Sequence, residues 1–264
     1  MQVALVTVGN ELLSGDTTNT NATWLGRQLA ARGATLQRVT VVPDHIDDIA
    51  SVVAAYADTY DAVIVTGGLG PTHDDLTMEG VAAAFGRDVE ENAEALSYLT
   101  EHGGYSHEDL ATGTAHLPTG AEPIHNEVGV APGAIVDTVY VLPGVPAEMK
   151  AMFTSVGDAF DGQQRYVRVL HADEPESALV DRLRRVEEEF GVSVGSYPGE
   201  GVRIKLTGTD ADAIERASRW LGARIDGSLV DDGSTAAEAS KTDTATVGSS
   251  EEEETSFGDG ATTE

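Results

Sequence analysis

"AVIVTGGLGPTHDDLTMEGVAAAFG", residues 62–86, opens as an apolar run, passes through three glycines and a proline, and closes on an alanine-rich stretch ending at Gly86. The first residues, 62–65, read as a buried strand and "TMEGVAAAFG" as a helix. A strand that delivers glycines straight to a helix is the joint of a parallel α/β sheet. It sets bare backbone at the carboxyl end of the strand, where open sheets bind ligands.

The same alternation extends on both sides. Strands are expected at 3–8 and 35–42. Between them Ala22, Leu25 and Leu29 recur at helical spacing after the capping candidates Asn19, Thr20 and Asn21, and Gly33 stops the helix. A helix at 46–56 leads into the opening stretch. Further on, "GAIVDTVYVLPG" (133–144) reads as a hairpin and "PAEMKAMF" (146–153) as the start of a helix. After Gly162 the pattern changes to strand, helix, two strands and helix, at 166–171, 175–190, 192–197, 202–208 and 211–225, with Trp220 turned inward. The expected fold is a doubly wound, mostly parallel α/β domain over 1–160 and a small α+β domain over 163–227. An acidic tail over 228–264 has too little apolar surface to offset the entropy of ordering it, and is expected to be disordered.

Charge limits the function. The 264 residues hold 45 Asp and Glu against 16 Lys and Arg, a formal −29, and the only lysines are Lys150, Lys205 and Lys241. Residues 231–264 account for −9 of this, so the part ahead of them is itself acidic. Nucleic acid and anionic membranes carry like charge and are excluded as expected partners. Acidic, lysine-poor surfaces suit a salt-rich cytoplasm, where screening is short-ranged, so a halophilic, cytoplasmic protein is expected. No apolar run approaches a membrane span, and the chain has no cysteine for a disulfide, a thiolate nucleophile or a zinc site. None of the seven histidines pairs at metal-ligand spacing; His73 is singled out because it sits inside the glycine stretch.

At Gly67, Gly68 and Gly70 the absence of Cβ lets phosphate oxygens approach the main chain from Thr66 onward, ahead of a helix N-terminus. A ligand-free tight turn fits the glycines equally well. Neither a P-loop nor a dinucleotide fingerprint is present. Asp74 and Asp75 next to an anion cradle make sense if a hard divalent cation lies between, Mg²⁺ being the natural choice; otherwise they cap the helix. Two more loops follow parallel strands. "VGNELLSGDTTNTN" offers Glu11, Asp16, Asn19 and Asn21, and "VVPDH" presents Asp44.

Taken together, "GNELLSGDTTNTNA" (9–22), "TGGLGPTHDDLT" (66–77), "HLPTGAEPIHNEVGVAPG" (116–133) and "LPGVPAEMKAMF" (142–153) resemble the molybdopterin-binding domain family, and within it the competence/damage-inducible protein A (CinA) branch. "SYPGEGVRIKLTG" (196–208) resembles the small KH-like domain that follows in that family, although a G-x-x-G nucleic-acid clamp is missing. The resemblance implies binding of a nucleotide or pterin pyrophosphate, with Asn126 and Gly129 of the third motif joining Thr66, Gly67, Gly68, Gly70, Asn19 and Asn21 around it. It implies Asp75 and Asp44 as catalytic carboxylates; with the reading of the loops above, Asp75, Asp74 and Glu11 are the expected ligands for Mg²⁺ or Co²⁺. The reaction implied is metal-dependent hydrolysis of ADP-ribose, with adenylylation of molybdopterin or binding without turnover as alternatives. Homo-oligomers are common among such domains. Many members continue into a domain that deamidates nicotinamide mononucleotide; in its place stands the acidic tail, so that activity is not expected.

Overall fold

The structure is a computed structural model that describes residues 1–102 and 113–230. The acidic segment from 231 onward and His107 lie outside the described residues.

The elements run β1 (Gln2–Val8), α1 (Asn10–Ser14), α2 (Thr20–Ala31), β2 (Thr35–Val42), α3 (Ile46–Ala57), β3 (Ala62–Thr66), α4 (Thr77–Ala84), β4 (Val89–Glu91), α5 (Ala93–Glu101), β5 (His116–Pro118), β6 (Glu122–Ile124), β7 (Gly133–Val136), β8 (Val139–Leu142) and α6 (Pro146–Val156). A 3₁₀ turn at Gly157–Phe160 leads to the second unit: β9 (Tyr166–Ala172), α7 (Glu176–Phe190), β10 (Ser193–Gly199), β11 (Gly201–Gly208), α8 (Ala211–Gly222) and β12 (Gly227–Leu229).

The first unit is built on a sheet ordered β2-β1-β3-β8-β7-β6. β2, β1, β3 and β8 are parallel, while β7 and β6 continue the sheet by antiparallel pairing. Alternate residues of the central strands feed two cores, as the pleat requires. Val6, Val8, Val63 and Val65 pack with Ile49, Val53 and Val81 of α3 and α4. Val3, Leu5, Ala62 and Ile64 pack on the other face with Leu25 and Leu29 of α2 and with Met149, Met152 and Phe153 of α6. Both faces are therefore covered, and the central strands read as unbroken apolar runs because both sets of side chains are buried. The doubly wound architecture expected from sequence is the one observed.

The second unit is an antiparallel sheet ordered β10-β11-β9-β12 with α7 and α8 on one face. Its β-α-β-β-α-β connectivity is the split βαβ arrangement. β12 pairs with β9 through Leu229, so this unit runs two residues into the segment assigned to the tail. α8 stops at Gly222, short of the expected 225. Trp220 packs half-buried against the core of this unit, as expected, and its exposed part lies near Arg224 and Arg185, whose guanidinium carbons are 4.2 and 5.6 Å from its ring. Among the described residues no helix is long and apolar enough to cross a membrane.

Candidate functional site

The connections from β1 to β2 and from β2 to β3 place β2 and β3 on opposite sides of β1, so the sheet's topological switch point lies between β1 and β3. Open α/β sheets bind ligands outside the carboxyl ends of strands at such a point. A pocket of about 100 Å³ sits there, lined by Thr7 and Val8 from the end of β1, Thr66 and Gly67 from the end of β3, and Gly144 and Pro146 from the β8–α6 turn. Glu11, Leu12, Thr17, Thr18, Asn19, Thr20 and Asn21 of the β1–α2 connection close it.

Local chemistry explains the shape. Asn19 caps α2, its Oδ1 accepting from Ala22 N at 3.0 Å, while its Nδ2 donates to Thr7 Oγ1 at 3.1 Å. Asn21 Nδ2 donates to Gly144 O at 2.7 Å and so ties α2 to the β8–α6 turn. That bond fixes Asn21 Oδ1 as an acceptor; it is buried and has no protein partner. Gly67 has φ +103°, and a Cβ there would stand 2.2 Å from Val8 O, so only glycine lets the ends of β1 and β3 approach this closely. The Gly67 N–H donates to Leu142 O at 3.1 Å. Gly67 thus contributes its bare Cα to the pocket, not the phosphate-binding N–H expected of it.

The expected site residues divide. Glu11, Asn19, Asn21, Thr66 and Gly67 line the pocket; Gly68, Gly70, Asp44, Asp74, Asp75, Asn126 and Gly129 do not. Gly68, φ +63°, packs against the buried Thr77 hydroxyl, where a Cβ would be 2.3 Å from Oγ1. Asp75 folds back over its own turn, with Oδ2 accepting from Thr72 N at 3.0 Å and Thr72 Oγ1 at 2.5 Å, against the bare Cα of Gly70. The Thr72 hydroxyl, the Asp74 backbone and His73 together hold the exposed Asp74 carboxyl below its usual range. Neither aspartate caps α4, whose N-cap is Leu76 without a side-chain bond. Asp44 Oδ2 accepts from Asn10 N at 2.8 Å, which anchors the first turn of α1 and, with it, Glu11. Asn126 is 5% exposed and spent on its own loop: Oδ1 accepts from Val128 N and Gly129 N, and Nδ2 donates to Ala131 O and Glu148 Oε2. Thr7, Thr17, Thr18, Gly144 and Pro146 were not singled out as site residues, although Gly144 and Pro146 lie in the "LPGVP" segment that follows a strand.

Among the described residues no three His, Cys, Asp or Glu side chains gather to hold a metal ion. Glu11, Asp44 and Asp75 are hard oxygen donors of the type Mg²⁺ takes, and Mg²⁺ is commonly held by one or two carboxylates together with substrate phosphates. A resident cation caged by these side chains does not fit: of the three only Glu11 lines the pocket, and it would hold a cation only together with a ligand's phosphate.

Residues 4–161 match the family described as "Probable molybdopterin binding domain", and residues 164–233 match "FAD synthase, middle domain". The crystal structure of the CinA protein of Thermoplasma acidophilum is 38% identical and superposes with a TM-score of 0.56, covering 60% of this chain and 97% of that one. The chain belongs to the CinA family of molybdopterin-binding-domain proteins. An Archaeoglobus fulgidus member is 37% identical over 219 residues, 82% of this chain and 95% of its own length. The CinA-like protein of Frankia casuarinae is 46% identical over 241 residues, 81% of this chain and 55% of its own length. This chain thus spans about half of that longer CinA-like relative and nearly all of the archaeal one.

Proposed function

We propose that the switch-point pocket binds the phosphate end of a nucleotide or pterin and that the chain hydrolyses an ADP-ribose-type pyrophosphate. The observation that carries this is the lining. In a chain of net charge −29, the pocket is lined by hydroxyls, amides and main chain together with Val8, Leu12 and Pro146, and Glu11 is its only charged residue. An anion enters there without the repulsion it would meet over most of the surface. At about 100 Å³ the pocket is smaller than the roughly 300–1,000 Å³ that encloses a drug-sized ligand, so it takes one part of the molecule and leaves the rest on the rim. The orphaned Asn21 Oδ1 suits a ribose hydroxyl or a pterin amine, both of which donate. The two family descriptions agree with a phosphorylated heterocycle, since molybdopterin carries a phosphate and FAD a pyrophosphate.

In this reading Thr17, Thr18 and Thr66 donate to phosphate oxygens. Glu11 accepts the proton of the attacking water, and Asp44 holds α1 so that Glu11 faces the pocket. Mg²⁺ or Co²⁺ arriving on the ligand's phosphates would neutralise their charge. Asp75 orders the turn beside the pocket. A second reading, binding without turnover, is favoured by one observation: Asp75 and Asp74 stay outside the pocket and no three-ligand cluster forms among the described residues.

The test is AMP release from ADP-ribose in concentrated KCl with Mg²⁺ or Co²⁺, by wild type, Glu11→Gln and Asp75→Asn, with binding followed separately by calorimetry. Hydrolysis predicts AMP that disappears in folded Glu11→Gln while nucleotide binding persists. No AMP from a wild type that binds the nucleotide supports the second reading, and ATP consumption dependent on molybdopterin would point to adenylyl transfer.

A further inference from the structure

The four-stranded sheet of the second unit has one face covered by α7 and α8; the other face is buried at Val167 and opens toward Arg203 and Tyr197. Val202, Ile204, Leu206, Leu170 and Ala172 point into the helical core, so by strand alternation their neighbours point the other way. Cross-strand registry then sets out two rows on the open face. Tyr197, Arg203, His171 and Ser228 form one row across all four strands, and Gly195, Lys205 and Val169 form the next.

Tyr197 is 47% exposed and lies flat along the sheet because Gly195 offers no side chain; a Cβ there would stand 2.9 Å from the Tyr197 hydroxyl. The Arg203 guanidinium carbon sits 4.8 Å from the Tyr197 ring centre. His171 Nε2 is 2.7 Å from Glu200 O, and its Nδ1 is 3.3 Å from Asp173 Oδ1. Val230 N donates to Val169 O at 2.9 Å, and the Val230 side chain is 64% exposed. The chain therefore departs for residue 231 from the edge of this face.

Charge selects what covers it. Residues 164–230 carry ten Lys and Arg against twelve Asp and Glu, whereas residues 1–163 carry five against twenty-three. Half of those basic residues lie on α7 and α8; the rows on the other face carry Arg203 and Lys205 beside the Tyr197 ring, two cations that an acidic segment would complement. Residues 251–257, "EEEETSF", combine four consecutive carboxylates with Phe257, the only aromatic residue after Trp220. Twenty residues, 231–250, separate Val230 from Glu251, a contour of up to about 70 Å, against roughly 15 Å across four strands.

We propose that residues 251–257 dock on this face, with the Glu251–Glu254 carboxylates on Arg203 and Lys205 and the Phe257 ring against Tyr197 and Val169. Tethering makes the contact intramolecular, so a modest interaction is enough to hold it.

Zero-length carbodiimide cross-linking of the full chain tests this directly, because Lys205 is one of only three lysines. Docking predicts Lys205 joined to Glu251–Glu254 within one chain. The yield should fall about tenfold, or about 1.4 kcal/mol of docking free energy, in Arg203→Glu and in Phe257→Ser. It should also fall as the Debye length shortens from about 10 Å at 0.1 M salt to about 3 Å at 1 M. Circular dichroism at each salt concentration separates undocking from unfolding. The proposal is overturned if Lys150 joins the same glutamates as readily, if both variants leave the yield unchanged, or if the product forms only between isotopically distinct chains, which would make a second copy the partner. Binding of a single-stranded oligonucleotide to the intact chain that is lost in Tyr197→Ser would equally overturn it, assigning the face to nucleic acid.

Discussion

Gly67→Ala isolates the contact that shapes the pocket. At Gly67 the backbone has φ +103° and an added Cβ would lie 2.2 Å from Val8 O. Carbon–oxygen contacts settle at about 3.3 Å or more, so the ends of β1 and β3 must part by about 1 Å. A left-handed conformation costs a residue with Cβ about 1–2 kcal/mol, and forcing an extra methyl into a packed site costs about 1–3 kcal/mol. The expected loss is about 2–5 kcal/mol, or about 4–20 °C in Tm for a unit of this size. Gly86→Ala is the control, because Gly86 has φ +63° with nothing within 4 Å of the added Cβ. It carries the conformational cost alone, about 2–8 °C. Thermal unfolding followed by circular dichroism compares the two, and nucleotide affinity of the folded Gly67→Ala protein should drop as the strand ends separate. If Gly67→Ala lowers Tm no further than Gly86→Ala and binds nucleotide normally, the close approach of Val8 and Gly67 is not what forms the site.

Asn21→Ala removes the bond to Gly144 O and should cost about 1 kcal/mol of stability while weakening nucleotide binding, which calorimetry reads separately from Tm. Asp210 caps α8 by accepting from Asp212 N and Ala213 N at 2.9 and 3.2 Å, so Asp210→Ala should destabilise by about 0.5–2 kcal/mol in chemical denaturation without changing the switch-point pocket. The hydrogen bonds of Glu174 to Arg182 and to Asp226 N lower its carboxyl pKa. A depressed folded pKa stabilises above the unfolded value, about 4.3, and that contribution is lost as pH falls through the folded value. Glu174→Gln should therefore lower Tm at pH 6, with the difference from wild type shrinking as the pH falls below about 4; a pH-independent difference would remove the linkage.

The parallel sheet was legible because its central strands are buried on both faces and stand out as apolar runs, and because Gly67, Gly33 and Gly86 mark turns whose φ requires glycine. Helix α1 was read as part of a loop: it is five residues long with no buried residue, so it leaves no apolar stripe in the sequence. Helix α5 and strands β4 to β6 were not anticipated either, since three-residue strands are too short to show a period. At the site, sequence supplied Glu11, Asn19, Asn21, Thr66 and Gly67. Thr7, Gly144 and Pro146 escaped because their role depends on the end of β1 and the turn after β8, 137 residues apart in the chain from Thr7 to Gly144, converging across the intervening β3. Asp75 and Asn126 illustrate the opposite limit. A polar residue in a glycine-rich loop satisfies its own turn as readily as it serves a ligand, and only the coordinates show which bonds it makes.

The passage between the two units lies far from the pocket. Gly162 N donates to Arg32 O at 2.8 Å, and Gly33 and Gly162 press so closely that a Cβ on either would stand 2.2 or 2.3 Å from the other's backbone segment. Arg165 Nη1 reaches Thr35 Oγ1 at 3.4 Å. This clamp grips the amino end of β2, whereas the pocket opens at the carboxyl ends. Eight residues of β2 at about 3.3 Å each leave some 25 Å of hydrogen-bonded strand between them. The contacts that join the second unit to the first are therefore made at the foot of the sheet, a strand's length from the pocket at its head.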